Sequence, residues 1–136
     1  MPPAPRISGV YETVLYADDV AAAADFYRVV VGLREIEPPG DGAAAFRISE
    51  GALLLLFRPS LSAAAGRFVP SHGATGAGHV AFRVDRGELD AFTEHLRAAG
   101  LEIEREIVWP LGGRSVYVRD PAGNSVEFVE GEIWDE

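Results

Sequence analysis

Apolar and polar residues alternate along several short stretches of this chain, and two longer stretches repeat instead with the spacing of a helix. Alternation marks 11–18, 33–37, 43–49 and 52–58 as strands in the first half, and 78–85, 101–108, 114–119 and 125–130 in the second. Between the first two strands of each half lies a helical pattern. Ala23, Phe26, Tyr27 and Val30 form one apolar stripe, capped by Asp18 or Asp19 and closed at Gly32. Leu89, Phe92, Leu96 and Ala99 form the other, capped by Asp85 or its neighbours and closed at Gly100. Turns are expected at Pro38-Pro39-Gly40-Asp41-Gly42, Glu50-Gly51, Pro110-Leu111-Gly112-Gly113 and Asp120-Pro121-Ala122-Gly123-Asn124.

Each half therefore reads β-α-β-β-β, and the halves are copies of one another. The copies pair Glu12 with His79, Gly32 with Gly100, and Leu55 with Glu127. An α+β fold of tandem modules follows, with a single domain over residues 8–134, modules at about 8–58 and 78–130, and residues 59–77 as the linker. Strand alternation then sorts the side chains. Leu15, Phe46, Leu54, Leu56, Val80, Phe82, Val116, Val118, Val126 and Phe128 share the face expected beneath the helices. The opposite face carries Glu12, Val14, Tyr16, Arg47, Leu53, Leu55 and Phe57 in the first half, with His79, Arg83, Tyr117, Arg119 and Glu127 in the second. A merely solvated face has no need of Leu53, Leu55 and Phe57, so this mixture of apolar walls and a few polar groups reads as the lining of a pocket.

Composition narrows the function. The net charge is −9, from 21 acidic against 12 basic residues, which excludes a phosphate-backbone partner and hence nucleic acid. The chain has no cysteine, so disulfides, thiolate ligands and cysteine nucleophiles are all excluded. Its longest strongly apolar run, Ala52 to Phe57, is the length of a strand, and the first six residues lack the apolar stretch of a signal peptide. No membrane role is expected, and the cytoplasm is the expected compartment.

The Glu-Thr-Val-Leu-Tyr-Ala-Asp-Asp entry at 12–19, Asp25-Phe26-Tyr27 before Gly32-Leu33, Gly78-His79-Val80-Ala81-Phe82 and Asp120-Pro121-Ala122-Gly123-Asn124-Ser125-Val126-Glu127 carry a resemblance. Together they resemble the vicinal oxygen chelate superfamily, which includes glyoxalase I, extradiol dioxygenases, and fosfomycin- and bleomycin-resistance proteins. The resemblance implies a curved mixed sheet around a cleft and a metal site drawn from the first and last strands of each module. By position the ligands are Glu12, His79 and Glu127, while Leu55 stands at the fourth position and binds nothing. The set resembles the three-ligand layout of dioxygenases and fosfomycin-resistance proteins. One imidazole and two carboxylates suit a divalent metal ion such as Mn²⁺, Fe²⁺, Ni²⁺, Co²⁺ or Zn²⁺. Glu127 and Glu12 are also the candidate catalytic bases.

The same resemblance implies a small-molecule substrate with adjacent oxygen functions, a glyoxalase I-like or dioxygenase-like reaction, and a homodimer. Tyr117 matches a substrate-contacting tyrosine of fosfomycin-resistance relatives, and Phe57, Arg47, Arg119 and Trp109 are further lining candidates. His72 is read as an exposed loop histidine, with a lid or proton carrier as the other reading, and His95 as structural or surface. Arg114 is a mouth residue or a surface charge, and Ile133-Trp134 covers apolar surface or a subunit contact. The alternative function is a metal-free protein that sequesters a small molecule or antibiotic, as bleomycin-resistance proteins do.

Overall fold

The computed structural model describes residues 1–37, 40 and 42–135, so most of the expected turn at 38–42 lies outside the described residues. Strands β1 (Glu12–Tyr16), β2 (Arg34–Glu37), β3 (Ala43–Ser49) and β4 (Ala52–Phe57) form the first sheet, and β5 (His79–Arg83), β6 (Arg105–Val108), β7 (Arg114–Arg119) and β8 (Ser125–Glu130) the second. Both sheets have the same layout: β1-β4-β3-β2 and β5-β8-β7-β6, each with one parallel pair at its first strand and antiparallel pairs elsewhere. This is the duplicated α+β architecture expected from the repeat.

The register follows from burial. Phe46, Leu54, Leu56, Val118 and Val126 are fully buried, and Leu15, Val80, Phe82, Val116 and Phe128 nearly so. Burying such a side chain contributes about 1.5–3 kcal/mol, and a slip of one residue turns the whole set to the other face. That penalty holds Leu53, Leu55, Phe57, His79 and Glu127 on the face away from the helices. Helix α1 (Val20–Asp25) is capped by Asp19, whose carboxylate accepts from the Ala22 amide at 3.0 Å. It continues as a π-helical turn over Phe26–Val30, which lets the adjacent rings of Phe26 and Tyr27 both reach the core. Gly32 and Gly100 close the two helical segments at φ of 85° and 87°, values costly for any side chain with a Cβ.

Three expectations are corrected. Helix α3 (Leu89–Ala98) begins after Glu88 rather than at Asp85, because Glu88 N–H closes a turn on the Asp85 carbonyl and no side chain caps the helix. Leu101 to Glu104 precedes β6 as irregular chain: Leu101 and Ile103 pack on the core, and Glu104 N–H reaches Tyr117 O at 2.8 Å. The linker is also not a bare connection, since it holds the short helix α2 (Pro59–Ser62) and folds onto the first sheet.

A buried polar clasp joins the halves. Asp120 accepts from Tyr27 Oη at 2.7 Å and from Asn124 Nδ2 at 2.9 Å, and its other oxygen accepts from the amides of Ala122 and Asn124. Asn124 in turn accepts from Gly78 N–H at 2.7 Å and donates to Tyr16 O at 3.1 Å. Burial, and then the charge and hydrogen bond of Asp120, hold the Tyr27 hydroxyl far above its ordinary pKa, so it remains a donor. Asn124→Ala strands several of these groups at once and is expected to cost about 3 kcal/mol. Arg114→Ala, which breaks an exposed pair to Asp90 and a part-buried one to Glu130, is expected to cost about 1 kcal/mol. Urea midpoints of the two variants check the contrast.

Candidate metal centre

The second sheet brings His79 and Glu127 together from β5 and β8. His79 Nε2 lies 3.2 Å from Glu127 Oε1. Its Nδ1 faces the Ser125 carbonyl at 3.2 Å and Ser125 Oγ at 3.1 Å. Either Ser125 Oγ donates to Nδ1 and Nε2–H donates to Glu127, or Nδ1–H donates to the Ser125 carbonyl and the Nε2 lone pair is free to hold an ion. In the second arrangement Nε2 and Glu127 Oε1 are two facing acceptors, and a proton or a metal ion between them supplies the positive charge they need.

Glu127 is held from behind. Its side chain is 6% exposed, and Oε2 accepts from Ser115 Oγ at 2.5 Å. Ser115 Oγ accepts in turn from Trp109 Nε1 at 2.8 Å. Trp109 is set by the turn before β7, where its N–H meets Gly113 O at 2.8 Å and a Cβ on Gly113 would run into the Glu132 carbonyl. One carboxylate oxygen is thus fixed, and the other is turned toward His79, as a metal ligand requires. Tyr117, directly across from Glu127 in the β7–β8 pairing, stacks on His79 with centroids 6.3 Å apart and planes at 22°. Partial burial, followed by the hydrogen bond to Glu127 and its charge, raises the Tyr117 pKa, so its hydroxyl stays protonated and able to donate. Tyr117→Phe is expected to leave the melting temperature and bound metal nearly unchanged while lowering turnover or substrate affinity about tenfold, which steady-state kinetics and calorimetry check.

Glu12 does not join this pair within the chain. It sits at the exposed start of β1, in the other sheet, and no group of three His, Asp or Glu side chains among the described residues is placed to hold an ion. The side chain of His79 is half exposed, and Ala81 and Arg83 beside it on β5 face solvent, so the second sheet's polar face is open. Glu12 and the His79–Glu127 pair therefore lie on different sheets.

The other sequence candidates distribute unevenly. Leu55 and Phe57 line a cavity on the open face of the first sheet, and Arg47 is half-buried on that face. Arg119 is drawn away by Glu104, at 2.8 and 3.1 Å, and by the Gly123 carbonyl. Arg114 is tied to Asp90 and Glu130, the surface-charge reading rather than the mouth. His95 bridges the two helical segments through Nε2 and Val30 O at 2.7 Å, a structural role. His72 is not the exposed loop residue expected: it is half-buried, with Nδ1 2.6 Å from Tyr16 Oη and its ring edge-on to Phe57. Trp134 is 79% exposed, while Ile133 beside it is half-buried against Gly113. Ser115 and Ser125, which contact Glu127 and His79, are not among the sequence candidates. Their signal was the outward alternation phase they share with Tyr117 and Glu127.

Known proteins with this arrangement agree with the fold. The family described as Glyoxalase/Bleomycin resistance protein/Dioxygenase superfamily matches residues 9–128. The crystal structure of a lactoylglutathione lyase from Agrobacterium tumefaciens superposes with a TM-score of 0.89 at 41% identity, covering 97% of this chain and all of that one. Metallothiol transferase FosB of Shouchella clausii is 27% identical over 134 residues, 93% of this chain and 83% of its own. Fosfomycin resistance protein FosX of Listeria monocytogenes is 28% identical over 128 residues, 93% of this chain and 92% of its own. No described helix is long and apolar enough to cross a membrane.

Proposed function

Because the chain belongs to the glyoxalase/bleomycin resistance protein/dioxygenase superfamily, we propose that it is a metal-dependent enzyme acting on a small molecule with two neighbouring oxygen functions. The observation that carries this reading is the convergence of His79 Nε2 and Glu127 Oε1 at 3.2 Å, each oriented from behind by a serine. A ligand-sequestering protein has no chemical use for that pair. The donor set fits a divalent ion: a neutral imidazole with its far nitrogen engaged, and a carboxylate with one oxygen fixed.

Glu12 of a second copy completes the set in this reading. Each protomer offers an open sheet bearing His79 and Glu127 and another bearing Glu12, and a two-fold axis that sets one against the other forms two identical three-donor sites. The protein is accordingly a homodimer. Lack of cysteine accords with a reducing compartment, and the reading places the enzyme in the cytoplasm.

When bound, the ion supplies Lewis acidity to two substrate oxygens and stabilises negative charge that develops on them. The residues supply the rest. Tyr117 donates a hydrogen bond from its protonated hydroxyl, and its ring forms a wall beside His79. Glu127 or Glu12 accepts the substrate proton, since a carboxylate beside the acidified position is within reach of it. Leu55, where glyoxalase I-like proteins carry a fourth ligand, leaves an apolar wall instead and more room for substrate oxygens at the metal.

The 41% identical lactoylglutathione lyase makes a 2-oxoaldehyde–glutathione adduct the first substrate to try, and the FosB and FosX relatives add fosfomycin with a thiol. Catechols complete the panel. Protein incubated with Mn²⁺, Ni²⁺, Zn²⁺ or anaerobic Fe²⁺ is expected to bind one ion per chain by calorimetry and to turn over one of these classes only when loaded. Tight binding of bleomycin by metal-free protein, with no stoichiometric metal uptake, would replace the enzyme reading with the sequestering one.

A further inference from the structure

Residues 59–76 form a braced strap over the open face of the first sheet. Its bracing centres on the Ser62 carbonyl, which accepts from Arg67 Nη1 at 2.9 Å and from His72 N–H at 2.9 Å. Arg67 Nη1 also reaches Pro70 O at 3.4 Å, and Ser71 Oγ donates to Ala64 O. His72 then pins the far end to the sheet through Tyr16 Oη and the Phe57 ring. At the near end the fit is close: a Cβ on Gly42 would stand 3.4 Å from Leu61 Cβ, in van der Waals contact with the strap.

Between strap and sheet lies a cavity of about 500 Å³. Ala43, Ala45, Leu55, Phe57 and Leu61 give it apolar walls, and the two alanines leave the floor low. Its polar lining comes from the strap. Ser62 is 2% exposed, and its hydroxyl has no hydrogen-bond partner among the described residues. Arg67 lines the same space with a guanidinium whose orientation is set by two carbonyls, and its other nitrogens have no partner among the described residues. A pre-oriented guanidinium beside an apolar trough matches a carboxylate that carries a short hydrocarbon chain.

We infer that this cavity is a binding subsite for an aliphatic carboxylate. The carboxylate accepts from Arg67, and its chain lies along Ala43, Ala45 and Leu55. The inference rests on the enzyme reading above in one respect: the bound group is the end of the substrate remote from its reacting oxygens. It sets specificity through the linker, outside the metal-ligating strands.

The test uses metal-free protein of full length, titrated with hexanoate and, as a neutral counterpart, hexanol, and followed by amide shifts in heteronuclear NMR. Hexanoate is expected to saturate at roughly millimolar concentration and to move the resonances of Ala43, Ala45, Ser62 and Arg67, with hexanol about tenfold weaker. Arg67→Gln should erase that preference, and Arg67→Lys, which keeps the charge and guards against a collapsed strap, should restore part of it. Ala45→Trp, which fills the trough, should abolish the response to both. Equal binding of hexanoate and hexanol, an unchanged preference in Arg67→Gln, or shifts confined to other parts of the chain would overturn the inference. No metal is present in the titration, so failure here and failure of metal uptake are separate outcomes.

Discussion

His79→Ala is expected to abolish stoichiometric binding of divalent ions, weakening affinity by at least about a hundredfold, and to remove activity with it. Among the described residues, the imidazole is the only neutral nitrogen ligand on the open face of the second sheet. Its removal leaves Glu127 facing water alone. Glu127→Gln keeps the shape and the Ser115 contact but lowers ligand charge, so a smaller loss of affinity is expected. Ser115→Ala tests the support from behind: Glu127 Oε2 loses its 2.5 Å donor and Trp109 Nε1 its acceptor, and affinity should fall about tenfold with the ligands intact. In metal-free protein the order changes. Glu127→Gln is expected to be neutral or mildly stabilising, because it removes the charge of a buried carboxylate, whereas Asn124→Ala should destabilise with or without metal. Calorimetry with each ion and melting curves with and without metal separate these effects. If wild-type protein shows no melting shift that His79→Ala abolishes, the pair is structural and the enzyme reading falls.

The repeat and the strand alternation made much of this legible before any coordinates. Both are local properties: alternation is set by the pleat, and Phe46, Leu54, Leu56, Val126 and Phe128 could face only one way without exposing the core. Placing His79 and Glu127 on one face followed from that phase alone, and their adjacency from the parallel pairing of β5 with β8, which sets Ala81 beside Glu127 and His79 one pleat away. What failed was non-local or irregular. Glu88 displaced Asp85 at the start of α3 because a turn on the Asp85 carbonyl consumed the geometry a cap needs. His72 looked like a loop residue because nothing in Pro70-Ser71-His72-Gly73 announces that Tyr16 and Phe57, more than a dozen residues away in the chain, will meet its ring. Ser115 was passed over for a similar reason. A serine on a strand is ordinary until the partner strand supplies Glu127 and the preceding turn supplies Trp109.

Mixing two inactive variants is expected to recover activity, because the half-sites lie on different sheets of the chain. Glu12→Ala spoils the first sheet and leaves His79 with Glu127 intact; His79→Ala does the reverse. Each homodimer then lacks a donor at both of its sites. In a hybrid dimer the Glu12 of one chain meets the His79 and Glu127 of the other, giving one whole site and one doubly broken site. Equal amounts exchanged freely make half of the dimers hybrid, so about a quarter of wild-type activity should return. Glu127→Gln mixed with His79→Ala supplies the control: both lesions fall on the second sheet, every composite site keeps one, and nothing should be recovered. A site assembled within one chain predicts no recovery in either mixture, since no chain carries a full set. Light scattering fixes the remaining condition, because a protein that stays monomeric at micromolar concentration cannot bring Glu12 to the pair from a second copy. Recovery in the first mixture alone, with dimers confirmed, is the outcome that ties Glu12, His79 and Glu127 into one centre shared between copies.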